Sequence, residues 1–145
     1  MTGHELAGEV AALGPDVKNL VVGQRVGVEP RHLVGCGECH WCRRGDYHIC
    51  PWRGQVDGKT FQSTGFAEYA LEPADKCYPL PDDISWEAAV LITGDGLGVP
   101  YHTSTKIASS DIQTVAVFGV GPIGLGHVLM QTHLGRQVIA VDIVP

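Results

Sequence analysis

The chain has 145 residues, a formal net charge of −6 and a pI near 5.5, with 44% hydrophobic and 18% charged residues. That composition is globular, and no apolar run approaches the roughly 20 residues that a membrane-spanning helix needs. An acidic balance excludes a phosphate-backbone partner, which requires a basic face to displace counterions. The first ten residues lack a basic segment followed by an apolar one, so the expected location is the cytoplasm. The length suits one ordinary domain and is short for a two-domain enzyme.

From Glu5 to Pro81 the chain is rich in glycine and valine, with short alternating segments at 8–12 and 24–28 that predict strands. Turns are expected at Gly14-Pro15-Asp16, Glu29-Pro30 and Asp57-Gly58, and a further strand at 66–71. The character changes at Pro79-Leu80-Pro81, where Pro-rich punctuation leads to Ser85 as a helix N-cap before Trp86, Glu87 and Ala88. Helix is expected again from Tyr101 to Ala108. Thr114 to Phe118 is a continuous β-branched and apolar run, which predicts a strand buried on both faces of a parallel sheet. A helix from Pro122 to Leu134, a left-handed stop at Gly135 and a strand from Gln137 to Asp142 complete one βαβ unit.

Cys36, Cys39, Cys42 and Cys50 are spaced by two, two and seven residues. Thiolates at this spacing can surround one zinc tetrahedrally at about 2.3 Å per bond, leaving no coordination position for water, so the ion would stabilise a loop without performing chemistry. Unbound cysteines or an iron-sulfur site are the alternatives. His40 and His48 lie in the same lobe as bystanders, and Cys77, outside it, reads as a small apolar residue.

Gly119-Val120-Gly121-Pro122-Ile123-Gly124 has the form G-x-G-x-x-G. It follows a predicted strand, opens a predicted helix, and is followed by Asp142 at the end of the next strand, 18 residues past Gly124. In that context the pattern predicts a dinucleotide pyrophosphate at the helix N-terminus. The Asp142 carboxylate would accept a ribose 2′-hydroxyl and repel a 2′-phosphate, which favours NAD over NADP. His4 and Glu5 open the chain, and Asp95 sits between Gly94 and Gly96 in a turn that can aim an oxygen at an ion.

Gly3-His4-Glu5 with Gly8 and Val10, the four-cysteine lobe, the glycine-flanked Asp95 and the glycine fingerprint occur in this order in zinc-dependent medium-chain dehydrogenases. Over nearly its whole length the sequence resembles that alcohol-dehydrogenase-like family. The resemblance implies an α/β protein: a mostly-β GroES-like catalytic domain over 1–81 with its zinc lobe at 36–50, connecting helices over 82–113, and the start of a Rossmann doubly wound parallel sheet over 114–145. It implies that His4 and Asp95 ligate a catalytic zinc, with Glu5 beside them as an exchanging ligand. Many members carry cysteine where Asp95 stands, and threonine and glycine where Val99 and Pro100 stand. Members also supply a further zinc cysteine upstream of the Gly-His-Glu segment and further Rossmann strands, so the sequence reads as a fragment. The implied activity is hydride transfer between an alcohol or carbonyl substrate and NAD(P). The implied partners are a small-molecule substrate and, in the intact protein, further copies of the chain. A non-catalytic zinc-binding remnant and a zinc-free reductase are the competing readings.

Overall fold

The computed structural model describes residues 3–29, 35–53, 55–56, 59–60 and 65–144. The chain forms two compact units, Met1–Val90 and Leu91–Pro145.

The first unit is built on a three-stranded antiparallel sheet in the order β1 (Leu6–Glu9), β2 (Arg25–Val28), β5 (Cys77–Pro79). Leu6 stands opposite Val28, and Val28 opposite Cys77, so β2 is the central strand. Its Val26 and Val28 are buried, with Leu20 and Ala89 among the other buried apolar residues of the unit. The Gly14-Pro15-Asp16 turn forms as expected, with Val17 N–H donating to the Gly14 carbonyl at 3.2 Å. Helix α1 (His40–Arg43) and a single 3-10 turn (Tyr47–Ile49) lie in the cysteine lobe. Strands β3 (Gln55–Val56) and β4 (Lys59–Thr60) pair antiparallel. The expected turns at Pro30 and at 57–58 lie outside the described residues.

The strand expected at 66–71 does not form; these residues are bends and irregular backbone. Tyr69 and Leu71 line an open cavity of about 1010 Å³ with Leu6, Val26, Val28 and Trp86. Aromatic and apolar residues favour extended chain locally, but a strand also needs a partner to take its backbone hydrogen bonds. At 66–71 the structure shows no paired strand.

Helix α2 (Trp86–Thr93) begins where Ser85 predicts, with Ala88 N–H donating to Ser85 Oγ at 3.2 Å. The segment leading to it is held by Arg25 of β2. The guanidinium donates to the carbonyls of Pro81 (3.1 Å), Asp82 (2.7 Å) and Ile84 (2.6 Å), and lies 4.0 Å over the Trp86 ring centroid.

In the second unit, α3 (Asp95–Lys106) starts six residues before the expected Tyr101. Asp95 is therefore the first residue of a helix with Gly94 as N-cap, rather than a residue held in a turn. A carboxylate there is favoured by the positive end of the helix dipole. Strands β6 (Thr114–Phe118) and β7 (Gln137–Val141) pair in parallel with Thr114 opposite Gln137, and α4 (Pro122–His133) connects them. Gly135 takes the left-handed conformation (φ 77°) after α4, as a C-terminal stop requires. Contrary to expectation, β6 is not buried on both faces: Val117 is buried, but Phe118 is 78% exposed. Two strands and their connecting helix supply too little apolar surface to cover both faces. Among the described residues no helix is long and apolar enough to cross a membrane.

Arg25→Ala should lower unfolding free energy by about 2–3 kcal/mol, because it removes a fork of charge-assisted donors and an aromatic contact. Arg25→Lys should recover less than half, since an ammonium cannot reach three carbonyls in the fork geometry. Urea denaturation of both variants checks this.

Candidate functional site

The four lobe cysteines converge. Their sulfurs all lie within 4.8 Å of one another, with Cys39 to Cys50 at 3.8 Å and Cys36 to Cys42 at 4.0 Å. Sulfurs bound tetrahedrally to zinc at about 2.3 Å are separated by about 3.8 Å along each edge, so the cage has the dimensions of that ion. Backbone amides point at the same sulfurs: Cys39 N–H to Cys36 Sγ (3.4 Å), Cys42 N–H to Cys39 Sγ (3.5 Å) and Trp52 N–H to Cys50 Sγ (3.4 Å). These bonds fix the orientation of the three sulfurs. A side chain on Gly35 would collide with Cys42 Sγ, so the chain can pass the sulfur only because residue 35 is glycine. His40 and His48 are exposed and stand outside the cluster. Cys77 lies apart, its thiol donating to the Pro73 carbonyl at 3.3 Å.

The cage discriminates among its own thiols. Backbone hydrogen bonds at Glu38 and Cys39 lower the Cys36 thiol to about 7, whereas burial, with the neighbouring sulfurs, pushes Cys42 up to about 12. Four negative charges at such separations require a cation among them, which a zinc ion supplies.

The lobe is fastened to the sheet by a group that the sequence did not reveal. Lys76 donates to Glu29 Oε2 at 2.8 Å, Tyr78 Oη donates to the same oxygen at 3.1 Å, and the Lys76 ammonium lies 5.5 Å over the ring centroid of Tyr47, three residues before Cys50. Burial draws the Lys76 pKa down, but the hydrogen bond and charge of Glu29 outweigh it and hold the ammonium above its ordinary value. The hydrogen bond to Glu29 likewise raises Tyr78. Glu29 and Lys76 are 47 residues apart, and no local pattern marks such a pair.

In the second unit the glycine fingerprint leaves β6 at Gly119, whose φ of 86° lies in the left-handed region, and enters α4 with Gly121 as N-cap and Pro122 in the first turn. A side chain on Gly124 would run into the Gly119 carbonyl, so helix and turn pack at glycine-only distance. Nothing lies within 4 Å of where a Gly121 side chain would stand, which leaves the open approach that a pyrophosphate needs. Pro122 has no N–H, so the first-turn donors facing that opening are those of Ile123 and Gly124. Asp142 follows β7 directly. Its Oδ2 accepts from Val120 N–H at 2.5 Å and its Oδ1 from Val144 N–H at 3.1 Å; these bonds hold its carboxyl below the ordinary carboxylate value.

His4 and Glu5 immediately precede β1 in the first unit, both half-buried, with a His4 ring nitrogen and a Glu5 carboxylate oxygen within 4.8 Å of each other. Asp95 lies in the second unit, exposed at the start of α3.

The alcohol dehydrogenase GroES-like domain matches residues 1–82, more than half of the chain. The chain belongs to that medium-chain, alcohol-dehydrogenase-like family. It is 36% identical to a sorbitol dehydrogenase of Bacillus subtilis (strain 168), over 99% of this chain and 39% of that protein. Among solved structures it is similar to a short chain alcohol dehydrogenase from Escherichia coli CFT073 complexed with cofactor NADH (31% identity, TM-score 0.81, 99% of this chain and 41% of that one). It is also similar to a cobalt and zinc bound thermostable alcohol dehydrogenase from Pyrobaculum aerophilum (28% identity, TM-score 0.78, 99% and 43%). The chain thus spans about two fifths of the length of the curated relatives it matches. The expected fold class holds: a GroES-like part followed by the opening βαβ unit of a Rossmann sheet.

Cys39→Ser should lower the zinc content of purified protein by about one ion per chain and unfold the lobe, as atomic absorption and thermal denaturation will register. Glu29→Gln should destabilise the protein by about 1–2 kcal/mol at neutral pH. Because the Lys76 pKa is raised on folding, its contribution is full below the unfolded value of 10.5 and is lost as the pH rises through the folded one. The gap between variant and wild type should therefore narrow in denaturation experiments above that pH.

Proposed function

We propose that this chain is part of a zinc-dependent oxidoreductase that transfers a hydride between an alcohol or carbonyl substrate and NAD. The observation that carries the reading is the glycine turn, with an open approach at Gly121 beside the carboxylate of Asp142, in a chain of the alcohol-dehydrogenase-like family. The domain division that accompanies it is a catalytic part over 1–81, connecting helices over 82–113 and a cofactor-binding part over 114–145.

The residues divide the work as follows. Cys36, Cys39, Cys42 and Cys50 hold a structural zinc, whose four sulfur ligands leave no place for substrate. Gly119, Gly121, Pro122, Ile123 and Gly124 shape the turn and helix start that receive the cofactor pyrophosphate, and Asp142 accepts a ribose hydroxyl. Each carboxylate oxygen has a second lone pair, so the bonds to Val120 and Val144 leave room for that contact. A 2′-phosphate would bring negative charge against Asp142, which supports NAD over NADP. His4 and Asp95 are the ligands of a catalytic zinc, with Glu5 as a neighbouring carboxylate able to exchange. Nitrogen and oxygen donors suit zinc, and fewer than four protein ligands leave a position for an alcohol oxygen. A metal held there would supply the Lewis acidity that lowers the pKa of an alcohol, and a nicotinamide cofactor would supply the hydride acceptor. The substrate belongs to the small alcohols, among which sorbitol, named for the Bacillus relative, marks the polyol class. All five cysteines are thiols, four of them gathered for a metal, which fits a reducing, cytoplasmic compartment. Assembly of the whole protein as a homo-oligomer is part of the same proposal.

A second reading, a zinc-binding chain without catalysis, is favoured by the completeness of the sulfur cage alone. Counting zinc and titrating cofactor separate the two. The dehydrogenase reading expects about two zinc ions per chain, one of them lost in His4→Ala, and NADH binding at least about tenfold tighter than NADPH, the size of one close like-charge contact near a surface. One zinc, unaffected by His4→Ala, with no NADH binding, would establish the second reading instead.

A further inference from the structure

The carboxylate of Asp142 is already engaged before any cofactor arrives. Val120, the donor to its Oδ2, lies between the left-handed Gly119 and the N-cap Gly121. A turn flanked by glycines on both sides has little side-chain packing to hold it, and glycine has the largest conformational freedom to lose. Two consecutive amides tie it to the end of β7: Gly119 N–H donates to the Val141 carbonyl at 2.8 Å, and Val120 N–H to Asp142. The first bond continues the β6–β7 ladder and any residue at 141 would accept it. The second depends on the side chain at 142 and is charge-assisted, the stronger kind of hydrogen bond. The other oxygen, bonded to Val144 N–H, fixes the carboxylate from the opposite side.

Resting on the dinucleotide reading above, we propose that Asp142 is also the positioning residue of the pyrophosphate site: its bond to Val120 N–H holds the glycine turn in the shape that keeps the approach at Gly121 open and the Ile123 and Gly124 amides aimed at it. A carboxylate that serves only the ribose would act on a ligand without ribose through its charge alone. One that clamps the turn acts through its hydrogen bond as well, and with a sign opposite to electrostatics, since removing its negative charge should by itself favour an anion.

Inorganic pyrophosphate is the discriminating probe, because it carries the charge and lacks the sugar. Calorimetric titration at low ionic strength should find it bound about five- to tenfold more weakly by Asp142→Ala than by wild type, in line with the loss of one positioning hydrogen bond. Asp142→Asn, which keeps an oxygen for the Val120 amide while losing the charge, should restore binding to within about twofold of wild type, the conservative rescue that general destabilisation would not produce. Unchanged or tighter pyrophosphate binding by Asp142→Ala, where the wild type itself binds NADH, overturns the inference and leaves the cofactor reading standing. Failure of the wild type to bind NADH overturns both. Independently of any variant, the Val120 amide resonance of the wild type should titrate with Asp142, at a midpoint below the ordinary carboxylate value of 3.8. An amide shift that ignores that titration also overturns the clamp.

Discussion

Four sulfurs held within 4.8 Å of one another are the constraint on which the first unit turns. As thiolates they repel, and as thiols they leave a polar cage with weak donors; a dication removes both problems. The lobe has almost no apolar core of its own, for Cys50 is its one buried residue among those described. Metal binding, as proposed for the lobe, would replace the hydrophobic burial that so short a loop cannot provide. The lobe's backbone is shaped to that end, with amides directed at three of the sulfurs and a glycine where the chain passes the fourth. Lys76, lying between Glu29 and the ring of Tyr47, then transmits the order of the lobe to β2 and β5.

The second unit solves a different problem with different means. In the role proposed for it, the unit would present backbone donors to an anion by omitting side chains. Gly119 supplies a left-handed turn, Gly121 leaves space, and Gly124 lets α4 approach the turn more closely than any other residue would allow. Omission makes the turn soft, and the fold compensates with hydrogen bonds from that turn to the end of β7. A carboxylate with two oxygens can brace the turn and still offer lone pairs to a ligand. Preorganisation of this kind lowers the entropy lost on binding.

Much of this was legible in the sequence because it is local. Cysteine spacing, the Ser85 cap, the β-branched run of β6, the glycine fingerprint and the Gly135 stop are each decided by residues within about fifteen positions of each other. The strand expected at 66–71 failed for the opposite reason: its aromatic and apolar residues favour extended chain, but pairing is a property of a neighbour that the local pattern does not specify. At Asp95 the flanking glycines suggested a turn, whereas the backbone runs into α3, with Gly94 serving as its cap.

Short-range spacing and backbone preference were enough to mark four cysteines as candidate zinc ligands, to locate the glycine turn and to order the strands and helices around it. Only the tertiary structure decided that the four sulfurs match the edge of a zinc tetrahedron, that Arg25 gathers three carbonyls more than fifty residues away, that Lys76 joins lobe to sheet, and that Asp142 reaches back to Val120. Each of these depends on distances between residues remote in the chain, and such distances exist only once the backbone has closed its loops.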